Sequence, residues 1–154
     1  VAEKLIEQTG VIGEKIEIGA FKKLTAPYVG SYIHAGNKIA ALVGLSGIVD
    51  NAAEISKNVA MQVAAMNPLA LNENSVDSSI VEKESEIIRE QLVKEGKPKN
   101  IIDNIMFGKL KRFYKDVTLL KQSYIKDSKV SVEDYVKSID KDLSIASFVR
   151  VSLV

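Results

Sequence analysis

The chain has 154 residues, 46% hydrophobic and 27% charged, and its 21 basic and 20 acidic side chains leave a net charge of +1. That length can bury a core of its own and points to one domain, while near-neutral charge argues against general affinity for nucleic acid or an anionic membrane. With no cysteine and one histidine, His34, neither a disulfide framework nor a thiolate or histidine-rich metal site can be built, and no apolar run approaches the ~20 residues of a membrane span.

Residues 1–10 place Val1, Leu5 and Ile6 at helical spacing, with Glu3, Lys4 and Glu7 between them and Gly10 as a stop. Those charges are unlike a signal peptide. Residues 14–25 alternate, with Ile16, Ile18 and Ala20 on one side and Lys15, Glu17 and Gly19 on the other. This pattern predicts a half-buried strand, bent where Phe21 and Leu24 break the alternation. Ala26-Pro27 reads as a turn. A second strand is expected over residues 29–35, then a Gly36-Asn37 turn of two residues that tolerate positive φ. A third strand over 38–45 carries the continuous apolar run Ile39 to Val43, which suits a central position in the sheet. Three strands joined by short turns make an antiparallel meander.

Asp50 is placed to cap a helix that runs to about Met66 and ends at Asn67-Pro68, because the residue before proline disfavours the α region. Its stripe of Ala52, Ala53, Val59, Ala60, Val63 and Ala64 suits close approach to a sheet. After a polar connector, 69–77, Asp77 or Ser78 caps a helix over 79–94. Gly96-Lys97-Pro98 then ends one helix and starts the next, over 99–117. Ile80, Val81, Ile87, Ile88, Leu92 and Val93 on the first helix face Ile101, Ile102, Ile105, Met106, Leu110, Phe113 and Val117 on the second. The two form an antiparallel, coiled-coil-like hairpin over 78–119, expected to project from the sheet. Residues 118–126 read as extended or irregular. Ser131 opens a short helix with capping-box spacing to Asp134, and residues 144–154 alternate again as a closing strand. The fold class is therefore α+β: a small antiparallel sheet of a three-strand meander plus a C-terminal strand, packed with helices.

The chain offers little chemistry of its own. Glu82, Glu84 and Glu86 spread around a helix and do not converge, and no phosphate-cradling glycine loop occurs. Lys109, Lys111, Arg112 and Lys115 flank Phe113 and Tyr114, a pattern compatible with RNA binding. With Leu110 and Phe113 on the seam, however, these cations read as a solvated face. An oligomerisation or RNA-binding module is the alternative to the reading below.

Several short motifs share one order and spacing: Lys15–Ile18 with Phe21, Gly30 to Gly36 (GSYIHAG), Lys38-Ile39 and Ala60 to Ala65 (AMQVAA). Asn67-Pro68, Val81 to Glu84, Gly96-Lys97-Pro98, Gly108 to Lys111 with Phe113-Tyr114, and Phe148 to Arg150 continue the series. Together they resemble the elongation factor Ts family, the nucleotide-exchange factors of elongation factor Tu. The resemblance implies one C-terminal core domain over 1–154 with the hairpin 78–119 inserted in it. It also implies a cytoplasmic factor that is not an enzyme, needs no cofactor, and binds elongation factor Tu to promote GDP release. A homodimer through the hairpin is possible, and neither a membrane nor a specific nucleic acid is expected as partner. By the matching motif, Tyr32, His34 and Gly36 are the expected Tu contacts. The family's N-terminal helical domain and its Asp-Phe pair have no counterpart here. The chain is therefore expected to keep the docking half and to exchange nucleotide poorly.

Overall fold

A computed structural model describes residues 1–34 and 36–153. The expected α+β class holds. Helix α1 spans Ala2–Ile12; strands β1 (Tyr28–Ile33) and β2 (Ile39–Leu45) follow; then come helices α2 (Ala52–Met66), α3 (Ser78–Lys94) and α4 (Lys99–Val117). Strands β3 (Ser123–Tyr124) and β4 (Asp127–Ser131), helix α5 (Val132–Ile139) and strand β5 (Ile145–Ser152) complete the order.

Among the described residues the main sheet has three strands in the order β1-β2-β5, all antiparallel, so β2 is central as its apolar run predicts. The first strand of the expected meander, over 14–25, does not form: this stretch carries no regular secondary structure. Alternation specifies a face and says nothing of a partner edge. Here Leu24 and Ala26 lie across the sheet instead, close enough that a methyl on Gly44 would meet the Ala26 Cβ at 2.7 Å. The strand expected over 29–35 runs from Tyr28 to Ile33, and its last expected residue, Ala35, lies outside the described residues. The closing strand ends at Ser152, and Val154 also lies outside them. In β5, Ile145 pairs with Leu45 while Ser147 pairs with Gly44, so a bulge shifts the phase. Ile145 and Phe148 thereby break strict alternation yet both reach the core.

Helix α2 packs on one face of this sheet. Val43, Leu45, Ile55, Val59 and Val63 are fully buried, joined by Leu119, Val132, Val136 and Ile145. Asn67, in the left-handed region at φ 45°, ends α2 ahead of Pro68. Its start differs from expectation. The helix begins after Asn51, so Asp50 sits one residue too early to cap it, and no side chain bonds the first turn. The Ala52 amide is satisfied by the Val49 carbonyl at 2.9 Å instead. Helix α1 likewise passes through Gly10 and stops at Gly13, at φ 79°.

The hairpin of α3 and α4 forms as expected. The Asp77 carboxylate accepts from the Ser79 amide at 2.8 Å. Gly96, at φ 69°, allows the Gly96 and Lys97 amides to donate to the carbonyls of Val93 and Leu92, the Schellman arrangement that ends a helix. Ile88, Leu92, Ile102 and Met106 form a second buried cluster, separate from the main core. The seam is narrower than expected: Ile87 and Val93 are each 60% exposed, because neighbours 100° apart on a helix cannot both face one partner. The stretch expected to be extended or irregular, 118–126, contains the short strand β3, which pairs with β4 in a small second sheet. Ser131 and Asp134 make the expected capping box at the start of α5.

Candidate functional site

The three residues singled out in the sequence fall at one end of the sheet. Tyr32 and His34 are two residues apart on an extended backbone, so both side chains take the same side. The Tyr32 hydroxyl lies 3.2 Å from His34 Nδ1, and the rings stand 6.1 Å apart, tilted by 57°. When the hydroxyl donates to Nδ1, the imidazole proton resides on Nε2 and is available to a partner. The backbone holds this pair in place: the His34 amide donates to the Ile39 carbonyl at 2.9 Å, and the Asn37 amide donates to the His34 carbonyl at 3.0 Å. Gly36 and Asn37 have φ of 85° and 56°, the left-handed region that glycine, lacking a Cβ, and asparagine adopt most readily. His34 and Gly36 are exposed while Tyr32 is half-buried. The tip therefore offers an exposed imidazole, a tyrosine edge and a glycine with open space where a Cβ would sit.

The basic stretch on α4 is matched by acids. Lys111, Arg112 and Lys115 line a groove whose other wall holds Glu73, Glu133 and Asp134. Arg112 approaches Asp116 at 3.9 Å and Lys121 approaches Glu133 at 3.3 Å. The Lys137 ammonium, joined by Lys121, holds the Glu133 carboxyl below its ordinary range. The cations thus belong to a mixed solvated surface, as the seam assignment predicts. Phe107 on α4 is 74% exposed, as Ile87 and Val93 on α3 are exposed.

A polar cluster that sequence reasoning did not single out lies between α2 and the second sheet. Asn58 donates to the Tyr135 hydroxyl at 2.9 Å and accepts from the Lys126 ammonium at 2.6 Å. Tyr135 stacks on Tyr124 with ring centroids 4.1 Å apart. Burial, then the hydrogen bond with Tyr135, pushes the Tyr124 phenol up. The only signal in the sequence was an asparagine on the apolar stripe of α2, a position that needs a partner when buried. Among the described residues no group of His, Asp and Glu could hold a metal ion, and no helix is long and apolar enough to cross a membrane.

A three-stranded sheet backed by one helix, with a two-helix arm rising from it, defines an α+β protein with a helical-hairpin arm. The family model described as "Elongation factor TS" matches residues 1–154. Elongation factor Ts from Christiangramia forsetii is 63% identical over 153 residues, covering 99% of this chain and 56% of that protein. The factor from Flavobacterium psychrophilum is 58% identical over the same coverage, and that from Porphyromonas gingivalis is 38% identical, with 55% of it covered. The chain belongs to the elongation factor Ts family. It spans little more than half the length of the curated relatives it matches, 56% of the first two.

Proposed function

We propose that this chain docks on elongation factor Tu and contributes to release of its GDP, as the C-terminal core domain of an exchange factor with the hairpin 78–119 inserted. The family match along residues 1–154 carries the proposal. The Tyr32–His34–Gly36 tip, with its exposed histidine and open glycine, supports a contact there. The action is that of a cytoplasmic binding protein without bond-making chemistry or a cofactor. Favouring nucleotide-free Tu loosens GDP, and by reciprocity GDP loosens the factor to the same degree.

The 154-residue stretch by itself is proposed to bind Tu and to drive exchange poorly. In support, no Asp-Phe pair of the kind that the resemblance associates with Tu's nucleotide domain occurs in it. Release of a fluorescent GDP analogue from Tu, followed with and without the chain, tests this. Little acceleration together with binding to nucleotide-free Tu is expected. Release as fast as with a full-length factor would refute the docking-half reading.

One observation favours a second contact. Phe107, on α4, is an exposed aromatic of the arm, whereas the inner seam is satisfied within one chain. A homodimer through the arm would cover Phe107. Sedimentation of Phe107→Asp against the unaltered chain tests it: a dimer lost in the variant supports the contact, and a monomer in both dismisses it.

A further inference from the structure

The arm's principal packing is α3 on α4, and its buried cluster is separate from the core beneath the sheet. Its direction must therefore be set at its root. There the backbone of 69–71 ladders onto 117–120, with the Leu69 amide donating to the Val117 carbonyl at 2.8 Å, and the last turn of α4 also meets α2 through two buried side-chain amides. Gln62, on α2, is 0% exposed and Gln122 is 2% exposed. Gln62 Nε2 donates to Gln122 Oε1 at 3.2 Å and to the Ser123 carbonyl at 3.1 Å, while its Oε1 accepts from the Ile125 amide at 2.8 Å. Gln122 Nε2 then donates to the Asp116 carbonyl at 2.9 Å.

That carbonyl belongs to the final turn of α4, where helix carbonyls have no partner within the helix. The relay thus runs from the middle of α2, through two amides, onto the end of the arm. It also reaches α5, since the Gln122 carbonyl accepts from the Val132 amide at 3.0 Å. A buried amide has donors and acceptors fixed in a plane, so it is satisfied at few orientations, and an unsatisfied one is costly. An apolar contact at the same place would tolerate sliding.

We infer that Gln62 and Gln122 are positioning residues: their buried amide relay fixes the angle at which the helical arm leaves the sheet. The arm and the Tyr32–His34 tip are then presented to a partner in one fixed geometry, whatever the partner is. At 1.5 Å per residue α4 is about 28 Å long, so a swing of about 10° at the root moves the tip by about 5 Å.

The chain has no cysteine, so two introduced cysteines, Lys97→Cys at the arm's turn and Lys57→Cys on α2, can carry spin labels whose separation is read by pulsed electron spectroscopy. One narrow distance distribution is expected for the otherwise unaltered chain. Gln122→Met fills the space without the hydrogen bonds, and should broaden the distribution by about the 5 Å of such a swing. Val63→Ala, in the core beside the relay, should lower the melting temperature and leave the distribution narrow. A Gln122→Met distribution as narrow as the parent's would overturn the inference, as would equal broadening in Val63→Ala. Should Gln122→Met fail to fold, Gln122→Glu decides the matter in the same assay. It keeps an acceptor for Gln62 and loses the donor to Asp116, so broadening is expected and an unchanged width again overturns the inference.

Discussion

Gly30 of β1 lies directly beneath Ser56 of α2: a methyl group on Gly30 would overlap the Ser56 hydroxyl, which itself donates to the Ala52 carbonyl at 2.7 Å. Helix and sheet meet here with only the Ser56 side chain between them. Gly30→Ala must push α2 away or break that hydroxyl bond, and overpacking of this kind costs about 1–3 kcal/mol. Urea denaturation should show a lower midpoint by that amount, partly restored when Ser56→Gly is added.

The two buried clusters predict separable stabilities. Leu92 is 1% exposed within the arm, and its truncation to alanine should cost about 2–5 kcal/mol locally. Hydrogen exchange should then show the amides of α3 and α4 losing protection while those of β2 and α2 keep theirs. Loss of protection throughout the chain would mean that arm and sheet unfold as one unit.

Much of this architecture is legible in the sequence. The arm announces itself through caps and stops at Asp77, Gly96 and Pro98, which act within one turn of chain. The expected strand over 14–25 failed for a different reason. Ile16, Ile18 and Ala20 alternate, but a strand also needs a free edge at the right height, and nothing local encodes one. The small β3–β4 sheet was missed because Ser123 and Asp127 carry no apolar alternation. The Gln62–Gln122 relay joins residues 60 apart in the chain, and glutamine on a helix reads as surface until its partner is known. Tyr32 and His34 are singled out by the family motif alone; the structure adds that, two apart on extended backbone, they share one face.

Acid titration should report on Glu133. Its carboxyl is held below the ordinary value by Lys137 and Lys121. A carboxyl whose pKa is lowered on folding contributes stability that is fully present above its unfolded pKa, about 4.3. That stability is lost as pH falls through the lowered folded value. Glu133→Gln should remove this contribution at neutral pH and flatten the dependence of stability on pH below that unfolded value, measured as urea midpoints across an acid series.

The Tyr32–His34 pair separates recognition from folding. Tyr32→Phe removes one partly exposed hydrogen bond and should change folding stability by less than about 1 kcal/mol. If the tip contacts elongation factor Tu as proposed, the same substitution frees His34 to reorient and weakens binding, and His34→Ala weakens it further. Calorimetric titration of both variants checks this; unaltered affinity in His34→Ala would move the contact elsewhere.

If this chain acts as proposed, it prefers nucleotide-free elongation factor Tu, because a ligand that binds two states equally shifts neither. The most direct measurement is its affinity for Tu stripped of nucleotide and for Tu saturated with GDP, under one buffer. Tighter binding to the stripped form is the predicted result. Equal affinity for both forms would contradict a role in nucleotide release.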